Sequence, residues 1–313
     1  LVSDPIDQAG VDILSQVAQV DQRPGLSPEE LVSVIGDYDG LMIRSGTQVT
    51  AEVIAAASKL KIIGRAGVGV DNVDVPAATQ RGVLVVNSPE GNTIAAAEHA
   101  LAMMLSLSRH VPQAHAGMRA GKWDRKKYVG NELYKKTLGV VGLGKIGSHV
   151  ARVARAMGME VIAYDPFIAA DRAQQMQVRL TELDELFRTA DYVTLHIPRT
   201  KDTENLVNAE LLRTMKPTAR IVNCARGGVV DEAAIAEAIN NGVIAGAGLD
   251  VYASEPLAED SPLRAVERGL VLTPHLGAST EEAQENVAID VAEQIRDVLL
   301  GLPARSAVNI PGL

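Results

Sequence analysis

With one cysteine, two phenylalanines and one tryptophan among 313 residues, this chain has no material for a disulfide framework and few aromatic anchors. Cys224 finds no second cysteine, and it stands in no Cys/His cluster with zinc-ligand spacing, so no metal site is expected and a reducing, cytoplasmic setting is. A basic surplus is missing too. Acidic residues outnumber basic ones 39 to 30, for a formal charge of -9, and without a broad basic face neither nucleic acid nor an anionic membrane is an expected partner. Long apolar runs are absent: the most apolar helical stretch, TIAAAEHALAMMLSLS, is interrupted by Glu98 and His99, short of the roughly 18 apolar residues that span a bilayer. It reads as a buried core helix. There is no signal peptide and no initiator methionine either; the chain opens at Leu1 inside what reads as a strand, so residues are expected to precede it.

What is present is abundant apolar material, 47% of the residues, in a length that exceeds one ordinary domain. Short apolar strands alternate with helical runs: LVSD, QVAQV, GLMIRS, KIIGRAG and VLVVNS come first, separated by segments such as AEVIAAAS and VPAATQRG. Further along, EVIAYD, DYVTLHIP, ARIVNCARGG, AGAGLDVY and GLVLTPH repeat the pattern. Such alternation predicts α/β architecture with two doubly wound parallel sheets. The helical run from about Thr93 to His110 separates them, and the closing helix EEAQENVAIDVAEQIRDVLLG is long enough to return to the first sheet. The predicted domains are therefore discontinuous: 1–88 with 284–313 for substrate, 89–283 for a nucleotide, with a cleft at the hinges.

The most telling segment is GVVGLGKIG, residues 139–147. Gly142, Gly144 and Gly147 have the GxGxxG spacing, the β-branched pair Val140 and Val141 leads in, and a helix-compatible run follows from Ser148 to Met157. A second strand then ends in Asp165, completing a βαβ unit. Glycines allow the tight turn and the close approach of a pyrophosphate, helix amides meet its charge, and a carboxylate takes the ribose hydroxyls. Asp165 is followed by Pro166 and Phe167 rather than by a cation, so NAD is the expected cofactor and a 2′-phosphate would be repelled.

Three polar residues follow apolar strands, where an open parallel sheet presents its ligand crevice: Arg226, Glu255 and His275. An imidazole exchanges a proton with a hydroxyl, a hydrogen-bonded carboxylate favours its protonated form, and a guanidinium grips a carboxylate. Hydride transfer from a 2-hydroxy acid needs all three. GRAGVGVDN, residues 64–72, adds a glycine-rich turn whose amides could hold an anion, with Arg65 and Arg44 as further candidates; a purely structural turn remains an alternative. GKWDRKKYVGNEL concentrates Lys122, Arg125, Lys126 and Lys127, either as solvated surface or as a phosphate grip across a subunit interface. His99, His110, His115 and His149 read as structural, and His196 as structural or lining the cofactor site.

Through GLGKIG, NCARGGVVDE, GLDVYASEP and TPHLGAST the chain resembles the D-isomer-specific 2-hydroxyacid dehydrogenases over its whole length. The resemblance implies a Rossmann NAD-binding domain inserted into a flavodoxin-like substrate domain. It implies Arg226, Glu255 and His275 as catalytic residues, and NAD lined by Lys145, Ile146, Asp165, His196, Pro198, Cys224, Ala225, Arg226, Asp250, His275 and Gly277, with the glycine motif and Asn92. It further implies that Arg44, Arg65, the backbone of Gly67, Val68, Gly69 and Val70, Arg226, His275 and Arg125 hold a small-molecule substrate. Formate-oxidising members have Gln where Glu255 stands, which argues against formate. Such enzymes pair as homodimers or dimer-based oligomers, and many carry C-terminal regulatory domains. A phosphorylated 2-hydroxy acid is the expected substrate; an unphosphorylated acid is the alternative, and a non-enzymatic NAD sensor a remote one.

Overall fold

The computed structural model describes residues 1–310. The chain forms two compact units, one of residues 1–93 and 278–313 and one of residues 94–277; residues 311–313 of the closing NIPGL lie outside the described residues.

The first unit is built on the parallel strands β1 (Gly40–Ile43), β2 (Ile62–Arg65) and β3 (Leu84–Asn87), adjacent in that order. Successive side chains alternate between faces, and both faces are apolar. Leu41, Ile43, Ile63 and Val85 pack with residues of the helices Pro28–Val34, Ala51–Ala56 and Val75–Arg81. Met42, Ile62 and Val86 meet the helices Gln8–Ser15 and Glu281–Leu299, the latter bringing the C-terminal segment back to this sheet. Gly64 makes that return possible, since a Cβ there would stand 2.5 Å from Val291 Cγ1.

LVSD and QVAQV do not form extended strands. Their place is taken by single parallel bridges, Val2 to Met42 and Val2 to Gln22, and the polar Ser3 and Asp4 turn inward to a hydrogen-bonded cluster with Thr47. With those bridges the spatial order reads second, first, third, fourth, fifth, the flavodoxin-like arrangement.

The second unit contains seven parallel strands: β4 (Thr137–Val141), β5 (Glu160–Tyr164), β6 (Arg179–Leu180), β7 (Tyr192–Leu195), β8 (Arg220–Asn223), β9 (Gly246–Leu249) and β10 (Leu270–Leu272). Their order, β6-β5-β4-β7-β8-β9-β10, is the Rossmann order with a seventh strand added. Leu138, Val140, Val161 and Ala163 cover the helices Thr93–Arg109 and Lys145–Ala156. Val141, Val193, Leu195, Ile221 and Leu249 face a second helical layer through Leu186, Phe187, Leu212 and Ile235. The order in which strands are added to the sheet reverses between β4 and β7, so the crevice of this fold opens where Gly142 and His196 leave their strands. Among the described residues no helix is long and apolar enough to cross a membrane.

Candidate functional site

At the end of β4 the chain turns through Gly142 at φ +93, a conformation that side chains rarely adopt. A Cβ at Gly142 would stand 2.5 Å from the His196 carbonyl oxygen, and one at Gly147 would stand 1.9 Å from that of Gly142, so both positions are closed to any larger residue. Gly144 differs: a Cβ there would meet nothing within 4 Å. Gly144 is also the N-cap of the helix Lys145–Ala156, which has no side-chain cap, and its first-turn amides carry the positive end of the helix dipole. A cradle that protein leaves open, over uncapped amides, fits a pyrophosphate.

Asp165 closes the cradle. Its Oδ2 accepts from the Leu143 amide at 2.7 Å and its Oδ1 from the Phe167 amide at 2.9 Å, and a carboxylate has lone pairs left for two ribose hydroxyls. Lys145 and Ile146 form the first turn of the helix. Across the switch point, burial pushes the His196 imidazole down to about 4. It stays neutral at ordinary pH, sharing a 2.9 Å hydrogen bond with Thr194 Oγ1. Pro198 follows, exposed, with its carbonyl accepting from Thr203 Oγ1.

The loops after β8, β9 and β10 converge at the same edge of the sheet. Asn223 organises the first, its Nδ2 donating to the Arg226 carbonyl at 2.9 Å while its Oδ1 accepts from the Ala225 amide at 3.0 Å. Gly227 lets this loop touch the next, because a Cβ there would overlap the Tyr252 carbonyl oxygen. In that second loop Glu255 accepts the Tyr252 amide on Oε1 at 3.1 Å and pairs through Oε2 with His275 Nδ1 at 2.6 Å. The two side chains are 37% and 50% exposed, so the pair lies at the surface of the unit. It borders an open hollow of about 490 Å3 also lined by Tyr252, Leu272 and Thr273. Arg226 Nη1 donates to the Ala225 carbonyl.

Asp250 lies beneath this surface with no exposed side-chain area. Oδ1 accepts from Thr273 Oγ1 at 2.5 Å and the Leu276 amide at 2.8 Å, and meets His99 Nε2 at 3.1 Å; Oδ2 accepts from the Gly277 amide at 2.9 Å. Burial opposes ionisation, but the bonds from His99, Thr273 and Leu276 outweigh it and hold the carboxyl below its ordinary value. Burial and the Asp250 charge together push the neighbouring Cys224 thiol far up, so it stays protonated.

In the first unit, Arg44 directly follows β1 and Arg65 ends β2, the two arginines expected at substrate. Asp4 Oδ2 receives the Arg44 amide at 2.6 Å and the Thr47 amide at 3.1 Å. Asn72 Nδ2 donates to the carbonyls of Arg44 and Thr47, and Asn87 Nδ2 to that of Val68, so the arginine loop and the Gly67–Val70 turn are knitted into one surface. Asn92 Oδ1 is buried with no hydrogen-bond partner. In the second unit the whole run 121–127 is exposed, and residues Arg125–Tyr128 form a single 3-10 turn.

Sequence reasoning missed the residues that hold these loops, namely Asp4, Asn72, Asn87, Asn223 and Thr273, and it gave His99 only a structural part. Asp4 had a signal in its position at the end of the short LVSD run, whereas Asn72, Asn87 and Thr273 act through contacts distant in sequence.

Residues 101–277 match the family described as D-isomer specific 2-hydroxyacid dehydrogenase, NAD binding domain. The chain is 66% identical over its full length to a D-3-phosphoglycerate dehydrogenase of Synechocystis and 49% identical to one of Archaeoglobus fulgidus, covering 56% and 59% of those proteins. It thus spans little more than half the length of the curated relatives it matches. Among solved structures, the TT0316 protein of Thermus thermophilus superposes with a TM-score of 0.91 at 35% identity, covering 98% of this chain and 99% of that one. A D-lactate dehydrogenase of Aquifex aeolicus complexed with NAD and lactic acid superposes with a TM-score of 0.82 at 26% identity, covering 96% and 95%.

Proposed function

The chain belongs to the D-isomer-specific 2-hydroxyacid dehydrogenases, and from that footing we propose that it oxidises D-3-phosphoglycerate to 3-phosphohydroxypyruvate with NAD, the first step of the phosphorylated route to L-serine. The observation that carries this reading is the 2.6 Å pair of His275 and Glu255 beside the Arg226 loop, at the ligand edge of a Rossmann sheet. Bound at the glycine cradle, NAD supplies the acceptor for the hydride from C2. His275 takes the C2 hydroxyl proton on Nε2, since Nδ1 is committed to Glu255. Glu255 itself is fixed by the Tyr252 amide, so the ring keeps one orientation. Arg226 anchors the substrate carboxylate and, in reverse, polarises the ketone. Arg44, Arg65 and the amides from Gly67 to Val70 are assigned to the substrate's anionic groups, and Arg125 to its phosphate.

General acid-base help contributes about 10² to 10⁴-fold, so His275→Ala should lower kcat within that range while NAD still binds. Near-normal turnover would remove His275 from the mechanism.

A second copy of the chain is the proposed partner. Val111, Met118, Trp123 and Val129 expose 53%, 53%, 73% and 75% of their surface within one short stretch of the second unit, apolar surface that a second copy could cover. Light scattering should return twice the chain mass, and Trp123→Glu should shift it toward the single chain.

A further inference from the structure

His275 sits in the left-handed region at φ +54, a conformation that a bulky side chain does not hold without support. Besides a 3.1 Å bond from the His275 amide to the Thr273 carbonyl, most of the support comes from one residue. The Asp250 carbonyl accepts the His275 amide at 2.9 Å, and its carboxylate accepts the next two amides, Leu276 on Oδ1 and Gly277 on Oδ2. Asp250 therefore grips the turn that presents the imidazole at three consecutive positions. The two contacts made by the carboxylate are strongest while it is ionised, because a protonated carboxyl gives up acceptor capacity to an O–H donor.

An ionised carboxylate with no exposed area needs donors around it. Two are backbone amides and one is the Thr273 hydroxyl; the remaining one is His99 Nε2, reaching in from the helix Thr93–Arg109 at 3.1 Å from both Asp250 Oδ1 and Thr273 Oγ1. Facing a carboxylate oxygen, Nε2 must carry hydrogen. The geometry points to His99 as a positioning residue for the dehydrogenase reaction: its Nε2–H completes the donor set of Asp250, and Asp250 in turn fixes the left-handed turn that aims His275.

This rests on the role proposed for His275. The competing reading is a metal site, since His99 Nε2, Cys224 Sγ and an Asp250 oxygen lie within 4.8 Å of one another. It is disfavoured because those oxygens already accept four hydrogen bonds, two of them from the turn, and a cation would have to take them away.

The test compares wild type, His99→Phe, His99→Gln and His275→Ala in the reduction of 3-phosphohydroxypyruvate by NADH and by 4-deuterated NADH, with Tm recorded for each. Phenylalanine keeps a ring and removes both nitrogens; glutamine restores an N–H donor. Small misplacements of a reacting group cost up to about 10²-fold. His99→Phe should therefore lose about 10- to 100-fold in kcat with KM within about threefold, and its deuterium isotope effect on kcat should rise as the chemical step becomes limiting. His99→Gln should recover to within about threefold of wild type. Should the phenylalanine variant not fold, His99→Leu reads the same contact. An unchanged kcat and isotope effect in His99→Phe would overturn the inference, as would a loss confined to Tm or a glutamine variant no better than phenylalanine. If His275→Ala itself turns over like wild type, the catalytic reading fails, and this inference with it.

Discussion

His196 shows how a single buried side chain ties stability to pH. Unfolded, its imidazole takes a proton near 6.5; folded, burial defers that to about 4. Between those values the unfolded state binds more protons, so stability falls as pH drops through the window and stops falling below about 4. At pH 5 the loss from this residue is about 2 kcal/mol relative to pH 7. The variant His196→Gln should therefore show a shallower decline in stability between pH 7 and pH 5 in denaturant titrations, whereas a slope equal to wild type would mean that the imidazole is not kept neutral. His275 is the contrasting case: half exposed and paired with Glu255.

At the scale of elements, the three glycines of the βαβ turn separate folding from binding. Gly147 lies against the Gly142 carbonyl, and alanine there would push the helix Lys145–Ala156 off its strand. Gly144 has only open space above it. Thermal melts and cofactor titrations should thus diverge: Gly147→Ala loses several degrees in Tm, while Gly144→Ala melts within about 2 °C of wild type and binds NAD at least about tenfold more weakly. Equal NAD affinity in Gly144→Ala would show that the pyrophosphate does not approach there.

This turn was fully legible in the sequence, because every constraint on it is local: spacing, flanking strand and following acid. The helix expected from about Thr93 to His110 was legible for the same reason and spans Thr93–Arg109, ending where His110 adopts φ +54. LVSD was misread as a strand because alternation records burial, and Ser3 and Asp4 are buried through hydrogen bonds rather than apolar contact. The roles of Asn72 and Asn223 were hidden because each satisfies backbone carbonyls or amides of a loop whose shape a sequence does not display. His99 and Asp250 meet across 151 positions, and no periodicity records such a contact.

For the whole molecule, two parallel sheets divide the candidate site residues. The second unit holds the glycine turn and the His275, Glu255 and Arg226 loops; the first holds the Arg44 and Arg65 surface, stiffened by Asp4 and Asn72. With a formal charge of -9 the chain repels anions at long range, so an anionic substrate must be held by local arginines and amides. The central claim is that this substrate carries a phosphate. Its most direct test is NADH consumption by the purified chain with 3-phosphohydroxypyruvate, hydroxypyruvate and pyruvate at matched concentrations in low-phosphate buffer. One charge-assisted contact to a phosphate is worth about 1.5 to 3 kcal/mol, so kcat/KM should favour the phosphorylated acid by at least about tenfold. Equal or faster reduction of hydroxypyruvate or pyruvate would contradict the assignment and make the chain a dehydrogenase of an unphosphorylated 2-hydroxy acid.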